Sequence, residues 1–390
     1  MLNIDEPSHR QPQVALLRLA FRPFFLFASL FSILAVGLWI GLLGGIIHLE
    51  PHGNVLWWHG HEMIFGFAVP VIAGFLLTAA QTWTGVPAIK GWPLAALVGL
   101  WLLPRILLLN SQWLPLALVL TLDLLFAPIV AALLGRAVMS VKQWRNLIFT
   151  PVLLVITAVN GLSYYGLVTN DILVSQSAIY AAIFAITIVI AIMGGRVIPF
   201  FTERATSWVR TSPLMWLEVT TFLALIGLIG AVLSQSSDSI RVMAAIAGIS
   251  LLVRCARWGG QYTLRVPLLW SLHLSYLFVP IGMLLIALGA PFAVGLHAVT
   301  IGGMAGLILA MMARVSLGHT GRTLTPPKWV VLGFGFILCS AIARILAGLV
   351  TDYYWQWLLT SALLWLAAFL SFVMSYGPML CRPRLDGRPG

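Results

Sequence analysis

Apolar runs of about twenty residues recur along almost the whole chain, and they limit the possible folds more than any other feature. Each run is long enough to cross the hydrocarbon core of a bilayer as an α-helix. The predicted helices lie near residues 23–47, 55–81, 93–109, 113–135, 147–168, 172–198, 214–234, 240–256, 267–289, 292–315, 329–350 and 353–377. The sequence therefore predicts an all-α, polytopic membrane bundle of about twelve transmembrane helices, formed by one domain over residues 1–390.

The composition excludes a soluble protein. The chain is 61% hydrophobic and only 8% charged, whereas about a quarter of the residues of a soluble domain are charged. Its 16 tryptophans fit interfacial belts, and its 35 glycines fit close helix packing. The long continuous runs also differ from the short alternating segments of an outer-membrane barrel.

The basic residues predict the orientation. With a cytoplasmic N-terminus, 19 of the 22 lysines and arginines fall in segments on the inner side. This distribution predicts both termini inside, with a cytoplasmic N-terminal segment at 1–22 and a cytoplasmic tail at 379–390. The charges, +11 in total, recur in short loops rather than on one face, so the predicted partner is the lipid bilayer and not nucleic acid.

The cysteines exclude several kinds of site. Cys255, Cys339 and Cys381 are far apart and form neither CxxC nor CxxCH. The spacing excludes covalent haem attachment and gives no zinc motif or disulfide framework. The chain shows no cleavable signal pattern at its N-terminal end, where about 20 polar and basic residues precede an apolar run of spanning length.

Three histidines are predicted to meet at one depth near the outer face. His59 and His61 lie within about 10 Å of the outer end of the second helix, and His297 lies about five residues into the tenth helix. His59 and His61 point about 200° apart, so they can face different neighbours. Neutral imidazoles are good ligands for haem iron and for copper, and a proton relay is the alternative. His48 and His52 lie just before the second helix. They are either solvated loop residues or additional ligands.

Other candidate groups lie toward the inner side. His319 is about 33 Å of helix away from His297, so the two cannot share a ligand. His273 is either a hydrogen-bonded core histidine or a second metal ligand. Arg196 and Arg314 lie in glycine-containing helix ends, where they act as basic anchors or bind phosphate or propionate groups.

Three charges are predicted inside the bundle. Arg105, Arg344 and Asp123 are expected to form ion pairs between helices, or the arginines bind haem propionates or another anion. Glu218, near the start of the seventh helix, is expected at the membrane interface.

Several motifs together resemble one family. The chain is similar to the NnrS family over essentially its whole length, in the same order, at residues 22–26, 58–67, 74–79, 82–85, 194–202 and 297–322. The resemblance implies a polytopic protein of the bacterial inner membrane that contains haem and copper and is linked to nitric oxide stress and denitrification. The motifs include His59, His61, His297 and His319, whereas His273 lies outside them.

The helix layout is also similar to the catalytic subunit of haem-copper oxidases, where helices 2 and 10 supply haem-ligating histidines. This chain departs from that pattern, because its predicted helices 6 and 7 hold no histidine. The departure argues against oxygen or nitric oxide reductase chemistry.

The resulting hypothesis is a membrane protein of nitric oxide stress with copper and non-covalent b-type haem. His59, His61, His297 and His273 are its predicted metal ligands, and His319, Arg196 and Arg314 are further cofactor-binding candidates. Nitric oxide or a metal-nitrosyl species is the expected partner, and no electron donor is indicated. The alternatives are a transporter of a metal, metal complex or small anion, and a metal-dependent sensor or assembly factor. No catalytic motif decides whether the protein is an enzyme.

Overall fold

The computed structural model describes residues 14–386, and all regular secondary structure in this range is helical. The long helices are α1 (Phe21–Leu43), α2 (Val55–Thr84), α3 (Trp92–Leu107), α4 (Leu116–Ser140), α5 (Phe149–Val168), α6 (Ile172–Ala205), α7 (Met215–Leu233), α8 (Ser237–Ala256), α9 (Pro267–Ala287), α10 (Phe292–His319), α11 (Lys328–Leu349) and α12 (Tyr354–Leu380). The predicted all-α bundle is confirmed. The predicted terminal segments lie partly outside the described residues, at 1–13 and 387–390.

Eleven of these helices in residues 14–386 are long and apolar enough to cross a membrane. The exception is α3, whose 16 residues rise about 24 Å, less than the roughly 30 Å of a hydrocarbon core. Its last turn contains Pro104. The chain is thus a multi-pass membrane protein in which α3 is a shorter apolar helix.

Helices that follow each other in sequence mostly pack side by side, and α12 returns to contact α1, which closes the bundle. Three helices lie in its interior. In an 18-residue apolar window of each spanning helix, 78% of the residues are buried in α2 and 72% in both α6 and α10. These shares are higher than in any other spanning helix of the described chain. The predicted histidines of the second and tenth spans are therefore carried by interior helices.

The backbones of α9 and α10 approach each other closely at two glycines. A Cβ atom on Gly282 would lie 2.5 Å from the carbonyl oxygen of Gly295, and one on Gly295 would lie 2.6 Å from that of Gly282. Small residues allow such approach in membrane bundles, where packing replaces the hydrophobic effect as the association force. This contact fixes the first turns of α10, two residues before His297.

Candidate functional site

The first turn of α2 is set by an asparagine cap. Oδ1 of Asn54 accepts hydrogen bonds from the backbone N–H groups of Leu56 and Trp57, at 3.0 and 2.9 Å. Asparagine is among the best N-cap residues because it satisfies donors that have no partner inside the helix. The cap defines where α2 begins and places His59 and His61 in its second turn.

The two helices that carry His61 and His297 each change from α to π geometry directly after that histidine. In α2 the π-helical segment is Glu62–Ala68, which follows His61. In α10 it is Ala298–Ala305, which follows His297. π-Helical turns are rare and frequently occur at functional sites. The two interior helices thus share one irregularity at the same end of the bundle.

The first part of the site is formed by His59 and His297, which are close enough to interact electrostatically. Both are half-buried. The His59 ring stacks on the indole of Trp39 in α1, with ring centroids 4.0 Å apart and planes at 17°. Its Nδ1 atom is buried and has no hydrogen-bond partner among the described residues.

The His297 ring is oriented by its own helix. Nδ1 lies 2.6 Å from the carbonyl oxygen of Ala293. Because a carbonyl oxygen can only accept, Nδ1 must donate, and in the neutral ring this assigns the lone pair to Nε2. A backbone acceptor for one imidazole nitrogen is the usual arrangement when the other binds a metal.

A buried arginine lies within electrostatic range of these two histidines. Arg344 of α11 interacts electrostatically with both His59 and His297, and its side chain is 8% exposed. The ring of Tyr354 lies 5.9 Å from its guanidinium carbon. Its Nε has no hydrogen-bond partner within residues 14–386, and none of the ion pairs found there includes it. The arrangement suits an anionic group bound next to the imidazoles.

His61 faces a different set of helices. Its Nδ1 lies 2.9 Å from Oε1 of Glu62, and its Nε2 lies 3.0 Å from Oδ1 of Asn160 and 3.2 Å from Oδ2 of Asp123. The ring and both carboxylates are almost fully buried. Both ring nitrogens are therefore engaged inside the protein, which leaves no free lone pair for a metal in this state.

The same network includes the predicted Arg105–Asp123 ion pair. Arg105 of α3 contacts Asp123 of α4 and lies 3.1 Å from Glu62 of α2. The hydroxyl of Tyr164 in α5 donates to Asp123 at 3.2 Å. The network thus ties four helices together, and its two carboxylates balance the charge of Arg105, which was one candidate for binding a propionate.

The two loop histidines differ in their surroundings. His48 is exposed, whereas His52 is buried and donates its backbone N–H to the carbonyl oxygen of Leu108 at 3.1 Å. Burial lowers the pKa of the His52 imidazole below its usual value, which favours the neutral ring.

No three histidine, cysteine, aspartate or glutamate side chains within residues 14–386 are arranged to hold one metal ion. The two predicted ligands on α2, His59 and His61, instead lie on different faces of the helix. The structure places His59 within electrostatic range of His297, and it places His61 among Glu62, Asp123 and Asn160.

The histidines at the opposite, basic end have local partners. Thr202 donates its single hydroxyl hydrogen to the carbonyl oxygen of Ile198, so His273 must donate through Nε2 to Thr202, 2.9 Å away. The ring of His319 lies 5.5 Å from the ring of Phe21. His319 ends α10, at the other end of the helix from His297, as the sequence predicts.

Arg196 and Arg314 do not converge on one site. Arg196 donates to Oδ1 of Asn146 at 3.0 Å and to the carbonyl oxygen of Arg145 at 3.2 Å. The Arg314 guanidinium lies 3.5 Å from the ring centre of Phe201. Arg314 lies near the end of α10, as the sequence predicts, whereas α6 continues beyond Arg196 to Ala205, so the predicted helix end at Arg196 is wrong.

One buried network was missed by sequence reasoning. Arg254 of α8 forms two hydrogen bonds to Glu218 of α7, at 2.9 and 2.8 Å, and donates to the hydroxyl of Tyr276 in α9 at 3.2 Å. Glu218 was expected at the interface, and its side chain is 28% exposed. The sequence contained a sign of this pair. Glu218 is near the start of α7 and Arg254 is near the end of α8, so two consecutive helices place them at the same end of the bundle.

A family model described as "NnrS protein" matches residues 15–384, nearly the whole chain. No curated protein matches. The matched range contains every candidate residue of the site.

Proposed function

Because the chain belongs to the NnrS family, we propose that it is a haem-binding protein of the bacterial inner membrane that acts in nitric oxide stress and denitrification. Family membership supports a membrane protein associated with nitric oxide stress. The proposal adds the cofactor and its ligands. His59 of α2 and His297 of α10 would hold a non-covalent, b-type haem iron.

The observation that supports this proposal is that two imidazoles from different interior helices each have a ring nitrogen left open to a ligand. His297 keeps a free Nε2 because Nδ1 donates to Ala293, and His59 has a buried nitrogen without a partner. Unpaired buried polar atoms are uncommon and call for a ligand or a specific role. An iron held by both histidines would be a ligand for these open nitrogens.

The surroundings fit the acidic edge of a haem as well. Arg344 is buried within electrostatic range of both histidines, has no carboxylate partner in the described range and keeps its Nε unpaired. A propionate group would supply the missing negative charge. Haem, when bound, would supply a redox-active iron whose potential depends on its axial ligands and their hydrogen bonds. The chain itself orients the ligands, through Trp39 stacked on His59 and Ala293 bound to His297.

Copper fits the described side chains less well. No three histidine, cysteine or carboxylate groups converge in residues 14–386, and both nitrogens of His61 are already hydrogen-bonded. The proposal of copper therefore rests on the family resemblance, and it is tested by metal analysis of the purified protein.

The experiment is absorption spectroscopy of the purified protein in lipid nanodiscs, before and after addition of haem. The wild type should show the bands of a haem with two imidazole ligands. His59→Ala and His297→Ala should each lose this spectrum, whereas His48→Ala, which changes an exposed loop histidine, should keep it. A wild-type protein that binds no haem, or full binding by both site variants, would refute the proposal.

A further inference from the structure

Four arginines lie together at the basic end of the bundle, where α1 begins and α10 and α12 end. Arg22, the second residue of α1, is fully buried. Arg18, Arg322 and Arg384 all lie within electrostatic range of it. These four residues, the arginine cluster, come from three segments that are far apart in sequence. The fold itself therefore brings their charges together.

The ends of two helices hold two of these side chains in place. Nη1 of Arg22 donates to the carbonyl oxygens of Leu380 and Arg382, both at 2.8 Å, where α12 ends. Nη1 of Arg384 donates to the carbonyl oxygen of His319 at 3.1 Å, where α10 ends. The last carbonyl groups of a helix have no partner within it and carry a partial negative charge, so they attract cations. These contacts orient the guanidinium groups but balance only part of their charge.

Positive charge dominates the arginine cluster. The carboxylate of Asp386 is paired with Arg384, at 2.8 and 2.6 Å. Four guanidinium groups and this one carboxylate leave an excess of positive charge among the described side chains of the cluster. Like charges repel more strongly where water is partly excluded, and a bound anion would relieve that repulsion. The planar fork of arginine matches the oxygens of a phosphate group.

The arginine cluster lies at the depth of the lipid headgroups and next to lipid. Gly91 donates its backbone N–H to the carbonyl oxygen of Leu17 at 2.8 Å, which places Trp92 beside the segment that carries Arg18. The Trp92 side chain is 86% exposed, and exposed tryptophans are typical of the membrane–water interface. In an 18-residue apolar window, only 44% of the residues are buried in α1 and 39% in α12, so both helices face lipid.

We propose that the arginine cluster binds the phosphate group of an anionic phospholipid, taken from the leaflet at the basic end. Basic pockets between transmembrane helices bind phospholipid headgroups in this way. A free phosphate ion has the same chemistry, but the bilayer supplies lipid phosphates at this depth, and acyl chains fit the lipid-facing surfaces of α1 and α12. The bound lipid would hold the end of α12 against the start of α1, where the bundle closes. This site is independent of the haem proposal.

The experiment is native mass spectrometry of the whole protein in detergent, titrated with phosphatidylglycerol. The wild type should bind this anionic lipid saturably and bind zwitterionic phosphatidylcholine more weakly. Arg18→Gln combined with Arg322→Gln removes two half-buried members of the cluster, and it should weaken phosphatidylglycerol binding roughly tenfold. The matched control, Arg136→Gln combined with Arg265→Gln, removes the same charge from exposed positions at the same end and should leave the affinity unchanged. Circular dichroism checks that each variant keeps its helices.

Several outcomes would overturn the proposal. Equal affinity for phosphatidylcholine would show that no anionic headgroup is selected. Unchanged affinity in the variant of Arg18 and Arg322 would exclude the cluster as the site. Equal losses in the two double variants would show that binding follows total charge. Displacement of the lipid by inorganic phosphate at a similar concentration would identify a free anion as the ligand in place of a lipid.

Discussion

His59 and His61 are two residues apart on α2, yet they belong to different sites. His59 stacks on Trp39 and interacts with His297, whereas His61 is hydrogen-bonded to Glu62 and Asn160. Two positions along a helix turn a side chain by about 200°, so neighbouring histidines face opposite surroundings. One ring remains available to a ligand, and the other belongs to a buried network that holds the helix in place.

Arg344 is expected to matter for haem affinity through its charge. Arg344→Gln should weaken haem binding about tenfold, equivalent to about 1.4 kcal/mol, because a propionate would lose its buried cationic partner. Arg344→Lys should retain part of the affinity. The measurement is a haem titration of the apoprotein followed by absorbance.

The matched control for this titration is Arg241→Gln, which removes an exposed arginine from α8. It should leave haem affinity unchanged. Equal losses in the Arg241 and Arg344 variants would show that the effect is not local, and unaltered affinity in Arg344→Gln would contradict the assignment of this residue to the haem edge.

The buried ion pair between Arg105 and Asp123 is expected to dominate local stability. Asp123→Ala should lower the free energy of unfolding by roughly 3–5 kcal/mol, because it removes a partner of a fully buried guanidinium. Arg384→Ala breaks an ion pair with Asp386 that is partly exposed at the basic end, and it should cost at most about 1 kcal/mol. Thermal unfolding in the same detergent compares the two. Similar losses would contradict the distinction between buried and exposed pairs.

The fold was largely predictable from the sequence because a bilayer imposes length and hydropathy on every span. The apolar runs located all twelve helices, and α3, predicted as one of the two shortest, is the one below spanning length. Helix rise alone predicted one depth for His59 and His297, and the structure places the two within electrostatic range of each other. That the two histidines of α2 face different neighbours also followed from the helix period.

The partners of these residues were less predictable, because they depend on which helices lie side by side. Nothing in the spacing of His61 indicated that Asn160 of α5 would contact it. The π-helical segments after His61 and His297 were also missed. Each extra residue in a turn shifts the following side chains by about 100°, so faces assigned with a uniform period of 3.6 are wrong beyond that point.

The glycine contact between α9 and α10 should be sensitive to a single methyl group. Gly282→Ala would place a Cβ atom 2.5 Å from the carbonyl oxygen of Gly295 and 3.0 Å from the backbone nitrogen of Val299. Backbone atoms cannot move aside as side chains do, so the helices must separate. We expect a loss of roughly 1–3 kcal/mol in unfolding free energy. Because the contact lies two residues before His297, haem affinity should fall as well.

The control is Gly335→Ala in α11, where an added Cβ atom meets nothing within 4 Å. Alanine has the higher helix propensity, so this variant should be neutral or up to about 1 kcal/mol more stable. The pair of variants is compared by thermal unfolding and haem titration. Destabilisation by Gly335→Ala, or none by Gly282→Ala, would contradict the packing described between α9 and α10.

The predicted orientation can be tested with a cysteine that the chain already carries. Cys381 is exposed directly after α12, at the basic end, so it should lie in the cytoplasm if basic segments face inward. In a Cys339→Ser background, a membrane-impermeant maleimide should label Cys381 only after the cells are permeabilised. Ser111→Cys combined with Cys381→Ser moves the thiol to the exposed loop between α3 and α4, and it should be labelled in intact cells. Labelling of Cys381 in intact cells would reverse the orientation and place His59 and His297 nearer the cytoplasmic side.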